Sequence, residues 1–344
     1  MPASAARRAH PSFLPEEAGF LLAGTGTPGA RRGAARPGCD TLRRAVVGAF
    51  CSVALGACGN ADRTDAARVD TPISVVDDAA RVVALERPAR RVISMIPAQT
   101  EIVTILAGVD AVIARTRWDE DPRLAHLPSL GNALTPSVEW LAALRPDLVI
   151  AWPDAQSRDV VQRLGDIGIP VYASRVESVA EIRTMIERLG VLLGQSARAD
   201  SLVRAIDDSL SAVRADVASL PVQRVLYLLS ADPAMIAGPG TFVDDLITIA
   251  GGENVFADMP QLWPQVSLEE IVRRQPDVII RPSDHSLDDP LAGLGGRPGW
   301  RELLAVRQLR VHAVDPDLYN RAGATVGTAA RGLADRIHAP GERP

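Results

Sequence analysis

The chain has 344 residues, of which 47% are hydrophobic, 23% charged and 4% aromatic, a composition that fits a globular protein of about two domains and excludes disordered and fibrous classes. The formal net charge is −5, and residues 1–58 hold seven arginines against three acids, so the rest of the chain carries nine net negative charges. An acidic body repels phosphate backbones, which argues against nucleic acid as a partner. All three cysteines, Cys39, Cys51 and Cys58, fall in that first stretch, so a cysteine zinc site, an iron–sulfur cluster, a thiol nucleophile and an internal disulfide are excluded from the body.

Arg43 and Arg44 precede an apolar run, Ala45–Ala57, that ends in small residues directly before Cys58. The run is too short to span a bilayer, which takes about 20 residues, and a basic lead with a short apolar core is the form of an export signal. Leu55-Gly56-Ala57-Cys58 resembles the lipobox of bacterial lipoproteins, with Cys58 as the lipidated residue. Residues 1–42 are expected to be an unusual or misassigned extension, 43–58 the signal, and 59–89 a small, polar tether and lead-in.

The first lobe is expected over 90–175. Arg91–Ile96 is a β-branched run that suits a buried strand ended by Pro97, and Thr100 can cap a helix Glu101–Ala107 that stops at Gly108. Ser137 opens a helix that runs to Arg145, Pro146-Asp147 breaks it, and the strand Leu148–Trp152 follows; a further strand ends at Tyr172. This alternation belongs to a parallel α/β sheet.

Over 176–220 the apolar residues Val179, Ile182, Ile186 and Leu189, then Leu202, Ile206, Leu210 and Val213, have helical spacing, with a break near Gly190–Ser196. A bridging helix of this length predicts small closure motions. The second lobe is expected over 221–340. It starts with a strand at Arg224–Leu229, and Gly240-Thr241 opens the helix Phe242–Ala250. Ser267–Ile280 then repeats Ser137–Ile150 at an offset of 130 residues, and Ser267 with Glu270 reads as a capping box. The fold class is α/β: two similar lobes with parallel sheets, joined by a long backbone helix, with a ligand cleft between them.

Catalytic patterns are missing. His126, His285, His312 and His338 are scattered, and neither a Gly-x-Ser-x-Gly elbow nor a phosphate loop is present. The Asp284-His285 run between Pro282 and Pro290 reads as a solvated loop. No catalytic residue, resident metal or cofactor is therefore expected. Clefts of open α/β sheets form beyond the C-terminal ends of the strands. There the sequence offers Pro97, Ala98 and Gln99, then Trp118, Trp152, Met235 and Trp263, and finally Asp317, Tyr319 and Arg321. Each aromatic taken singly could serve packing alone. Taken together, their flat surfaces with an arginine and amide edges suit a large, mainly neutral ligand.

Five segments, Arg91–Ser94 with Pro97–Glu101, Pro146–Trp152, Gly251–Phe256, Trp263–Ser267 and the Asp317 to Ala322 stretch, resemble the helical-backbone periplasmic substrate-binding proteins of ABC importers for corrinoids, siderophores and haem. The resemblance covers about residues 90–338, and the Trp-Pro-Gln-Val-Ser run favours the corrinoid branch. It implies cobalamin as cargo, held at Pro97-Ala98, by the Trp152 and Trp263 rings and by the Asp317–Arg321 loop. It also implies that Glu139 and Glu269 meet arginines of the permease dimer, one per lobe; the simpler role of either is a first-turn acid worth about 0.3–1 kcal/mol against the helix dipole. Departures at Gly131–Leu134 and Leu318-Tyr319 leave a related corrinoid such as cobinamide open. A monomer is expected. Haem would require an axial ligand, for which Tyr319 is the candidate, and a ferric siderophore is the other alternative; an extracellular hydrolase is the alternative from another class.

Overall fold

A computed structural model describes residues 73–131, 136–154, 157–283, 291 and 294–339. The leader with Cys58, most of the Gly131–Leu134 segment and the His285 loop lie outside the described residues.

The described chain starts with an antiparallel hairpin, β1 (Ile73–Val76) and β2 (Val82–Leu85). The first lobe follows as β3 (Val92–Ser94), α1 (Pro97–Ala107), β4 (Val112–Ala114), α2 (Val138–Ala143), β5 (Leu148–Ala151), α3 (Arg158–Asp166) and β6 (Val171–Ala173). Its four strands are all parallel in the order β4-β3-β5-β6. Two helices, α4 (Val179–Leu192) and α5 (Ser196–Val217), lead to the second lobe.

The second lobe is β7 (Gln223–Ala231), β8 (Ala234–Ile236), α6 (Phe242–Ile249), β9 (Gly252–Asn254), α7 (Leu268–Arg274), β10 (Val278–Pro282), α8 (Leu304–Arg307), β11 (Val311–Val314), α9 (Pro316–Tyr319) and α10 (Val326–Ile337). Its sheet runs β11-β10-β7-β8, with β9 also on β7, and only β8 is antiparallel.

Alternation along the strands divides the interior into three cores. Val92, Leu148 and Ile150 of the first lobe and Val225, Val278 and Ile280 of the second point into one shared inner core, together with α4, α5 and α10. Their neighbours Ile93, Val149 and Ala151 build an outer core of the first lobe, and Leu226 and Ile279 one of the second. Strands buried on both faces explain the near-continuous apolar runs. The second lobe is also tied to the linker by Asp245 of α6, whose Oδ2 accepts the N–H of Val179, the first residue of α4, at 2.8 Å.

The repeat at offset 130 reaches individual bonds. Ser137 and Ser267 cap α2 and α7 by accepting the amides of Trp140 and Glu270, both at 3.2 Å. Arg145 and Gln275 then take left-handed conformations, φ 49° and 44°. Asp147 accepts the amides of Arg90 and Arg91, and Asp277 that of Arg224. The amides of the same two aspartates donate to the carbonyls of Arg91 and Arg224, each at 2.8 Å. The two units are one solution to closing a helix onto a parallel strand.

Two local expectations change and a third is narrowed. Helix α1 starts at Pro97, not after Thr100, because proline suits the first helical position, where no amide partner is needed; Thr100 instead donates to the Ile96 carbonyl at 3.3 Å. The Glu270 carboxylate does not complete a capping box but turns to Arg274, at 2.6 Å, and to Arg273. The helical break lies at residues 193–195 and leaves Gly190 inside α4, where an added Cβ would come within 2.4 Å of Ala199 on α5. Gly190 thus lets the two helices touch.

Candidate functional site

Beyond the C-terminal ends of the first-lobe strands lie three of the expected segments. After β3 the chain enters α1 directly, so Pro97, Ala98 and Gln99 form its first turn. Gln99 is buried, and its Nε2 donates to Ser174 Oγ at 2.7 Å, tying α1 to the end of β6; its Oε1 has no hydrogen-bond partner among the described residues. After β4, Asp119 accepts the Thr116 amide at 2.6 Å and Thr116 Oγ1 accepts the Trp118 amide at 3.1 Å, a closed turn that fixes Trp118. The Arg117 guanidinium stacks 4.2 Å above the Trp118 ring. After β5, half-buried Trp152 rests on both the inner and the first-lobe core.

In the second lobe the run containing Trp263 lies along β8. Ile236 donates to the Pro264 carbonyl at 3.2 Å, Val266 to Ala234 at 2.9 Å and Gly238 to Leu262 at 2.7 Å, with Met235 bridged to Gln265. Close backbone approach requires the glycine: a Cβ at Gly238 would come within 2.1 Å of the Gln261 carbonyl. Trp263 is half-buried against the inner core, like Trp152 from the opposite lobe.

After β11, Asp315 caps α9 by accepting the Asp317 amide at 2.9 Å. Arg321 pairs with Asp317 at 2.5 Å and donates from Nη2 to the Trp118 carbonyl of the other lobe at 3.2 Å. Next to this bridge, a Cβ placed on Gly323 would lie 3.3 Å from that of Ala98. The fold therefore gathers Ala98, Trp118, Asp317 and Arg321 across the lobes, and Met235 with Trp263 on one lobe.

Burial pushes the Asp317 carboxyl up to about 6, opposed by Arg321 and helped by Glu120 and Asp315. Burial also raises Glu101 above the usual carboxylate range, with Arg321 opposing and Asp121 adding to the effect.

Tyr319 requires a correction. It is 1% exposed and belongs to the inner core, with its ring beside the Arg336 guanidinium and its hydroxyl set over Gly332 of α10. It is a packing residue and presents no phenol to a haem iron. His338 closes α10 with Nε2 2.9 Å from the Ala250 carbonyl. His312 on β11 is half-buried, and burial, then Arg336 and Arg310, lowers its pKa. Among the described residues no three His, Cys, Asp or Glu side chains gather to hold a metal, and no helix is long and apolar enough to cross a membrane.

Glu139 and Glu269 occupy equivalent first-turn positions in α2 and α7, and both are exposed. Their own backbone amides and the cap serines hold both carboxyls below the usual range, and Arg163 adds to this at Glu139 only. Glu120, whose negative charge on the other lobe helps to raise the Asp317 carboxyl, was not expected; its one visible signal was its place in the acidic run Asp119–Asp121 beside Trp118.

Residues 92–318 match the family model described as periplasmic binding protein. Over 302 residues the chain is 30% identical to the uncharacterized ABC transporter substrate-binding lipoprotein YvrC of Bacillus subtilis, covering 84% of this chain and 94% of that one. The crystal structure of the periplasmic vitamin B12 binding protein BtuF of Vibrio cholerae is similar with a TM-score of 0.63 and 29% identity, covering 73% and 97%. The periplasmic heme-binding protein RhuT of Roseiflexus sp. RS-1 in apo form is similar with a TM-score of 0.64 and 28% identity, covering 73% and 98%. The chain belongs to the periplasmic binding protein family, a family of solute-binding proteins with two lobes.

Proposed function

We propose that this protein captures cobalamin or a related corrinoid between its lobes outside the cytoplasm and delivers it to an ABC importer, without catalysing a reaction on it. The observation that carries this reading is the pair of half-buried tryptophans, Trp152 and Trp263, resting on one shared core from opposite lobes beyond the strand ends. Flat aromatic surfaces with few fixed polar groups suit a broad, largely neutral ring system, and clefts of this type bury 70–90% or more of their ligand. The name of the Vibrio cholerae neighbour supports the same cargo. Haem, the cargo in the RhuT name, is disfavoured because the candidate axial phenol, Tyr319, is buried in the core.

Glu139 and Glu269 are the proposed docking acids for the permease, one per lobe, because the repeat sets them at equivalent helix starts with exposed carboxylates. Cys58 is the proposed lipid anchor, supported by the Leu-Gly-Ala-Cys run and by a relative named a lipoprotein. The protein acts as a monomer in this scheme.

Calorimetric titration of the full chain with cyanocobalamin, dicyanocobinamide, haemin and a ferrioxamine tests the cargo. Stoichiometric binding of a corrinoid at submicromolar concentration is expected. Haemin or ferrioxamine binding with silence toward both corrinoids would overturn the corrinoid reading.

A further inference from the structure

Helix α1 follows the C-terminal end of β3 almost at once, so its first turn, Pro97, Ala98 and Gln99, forms part of the first-lobe floor of the cleft. No side chain caps this turn. Pro97 carries no N–H, and the amides of Gln99 and Thr100 both turn back to the Ile96 carbonyl, at 2.9 and 3.0 Å. The Ala98 N–H is left without an acceptor among the described residues. The Gln99 side chain belongs to a residue that is 2% exposed; its Nε2 donates to Ser174 Oγ at 2.7 Å, which fixes the amide, and its Oε1 receives no donor among the described residues. A buried carbonyl oxygen without a donor is costly, so an occupant that supplies one is favoured here. One helical turn thus presents a free donor and, on the next residue, a free buried acceptor.

We propose that Gln99 sets the selectivity of the cleft by accepting an N–H of a primary carboxamide on the ligand, whose carbonyl oxygen takes the Ala98 N–H. This rests on the corrinoid reading above and names the part of the cargo that the first lobe reads.

The chemistry of the turn separates the possible cargoes. A primary carboxamide carries a donor and an acceptor side by side, the complement of what Gln99 and Ala98 offer. An ionised carboxylate carries acceptors only. One of its oxygens would suit the Ala98 N–H at the positive end of α1, but the other would face Gln99 Oε1 with no proton between them. The rim of a corrin ring bears primary carboxamides and that of haem bears carboxylates, so the turn that accepts the first disfavours the second. The opposite lobe closes over the same place, since a Cβ on Gly323 would lie 3.3 Å from that of Ala98. Ligand therefore reaches the turn when the lobes part, and closure removes water from the contact, where a mismatched polar pair is most costly. A site built to hydrogen-bond one group rejects an analogue that lacks it far more strongly than an apolar surface does.

The test titrates the full chain by calorimetry with cyanocobalamin and with its separated monocarboxylic acids, in each of which one side-chain carboxamide has been hydrolysed. At least one acid should bind about tenfold or more weaker than cyanocobalamin. In Gln99→Leu, whose cooperative unfolding is checked first, cyanocobalamin should weaken about tenfold and that same acid should lose no more, so that the preference for the amide disappears. Ser174→Ala supplies a second variant: with its Nε2 released, the Gln99 amide can turn and offer a donor, and the gap between amide and acid should narrow while cyanocobalamin still binds. A merely structural role for Gln99 would weaken all these ligands alike and leave the gap intact. Acids that all bind as tightly as cyanocobalamin, or a Gln99→Leu variant with unchanged preference, would overturn the inference and leave the corrinoid reading standing. Absence of any cyanocobalamin binding to the unaltered chain would remove both.

Discussion

The two lobes share a supporting unit and differ at their open ends. In the first, α2, Arg145, Asp147 and β5 follow one another as α7, Gln275, Asp277 and β10 do in the second, with the same cap, the same left-handed residue and the same aspartate lock. Beyond the strands the likeness ends. The first lobe presents Trp118 and Trp152 on turns after parallel strands, whereas the second has an antiparallel β8 that carries the Trp263 run alongside it. The acids differ too, since Glu139 is clasped by Arg163 and Glu269 forms no ion pair among the described residues. A duplicated scaffold thus fixes the shared core, while dissimilar loops supply the two faces of the cleft.

If the scaffold is a true duplicate, equivalent damage should have equivalent effects. Ile150 and Ile280 are both fully buried in the inner core at offset 130. Each change to alanine should destabilise by about 2–5 kcal/mol, and the two should agree within about 1 kcal/mol, read from urea unfolding midpoints. A large gap would break the comparison.

The aspartate locks sharpen it. Asp147 accepts two backbone amides and Asp277 one among the described residues. Asp147→Ala and Asp277→Ala should both destabilise, by about 1–3 kcal/mol, with the larger loss at Asp147. Thermal unfolding of the two variants would show the order, and a reversed order would mean that the locks are not equivalent.

The smallest effect has the opposite sign. Arg145 and Gln275 sit at positive φ, a conformation that costs a residue with a Cβ roughly 1–2 kcal/mol. Gln275→Gly should therefore stabilise slightly, by less than the relief of strain alone, because it also removes the weak 3.4 Å bond that the Gln275 Oε1 accepts from the Leu304 amide. Arg145→Gly should do the same, because Arg91 binds the backbone carbonyl at this position and not the side chain.

Much of this scaffold was legible from sequence because it rests on local rules. Short, near-continuous apolar runs mark strands buried on both faces, the cap serines mark α2 and α7, and the offset of 130 exposes the repeat. What stayed hidden depends on residues distant in the chain. Arg321 and Trp118 are 203 residues apart, and no spacing rule foretells their bond. Tyr319 looked like a cleft aromatic because it follows a strand end. Only the packing of α10, with Gly332 beneath its hydroxyl, makes it a core residue. Glu270 likewise left its capping role for Arg273 and Arg274, one turn further along the helix.

The central claim is that one ligand is gripped from both lobes at once. It is tested most directly by titrating cyanocobalamin into the full chain and into Trp152→Ala and Trp263→Ala, with tryptophan fluorescence as the readout. Loss of one stacked face at either site should weaken binding about tenfold or more, equal to about 1.4 kcal/mol, while leaving the unfolding transition of each variant cooperative. Unchanged affinity in both variants would contradict a ligand held between these two lobes.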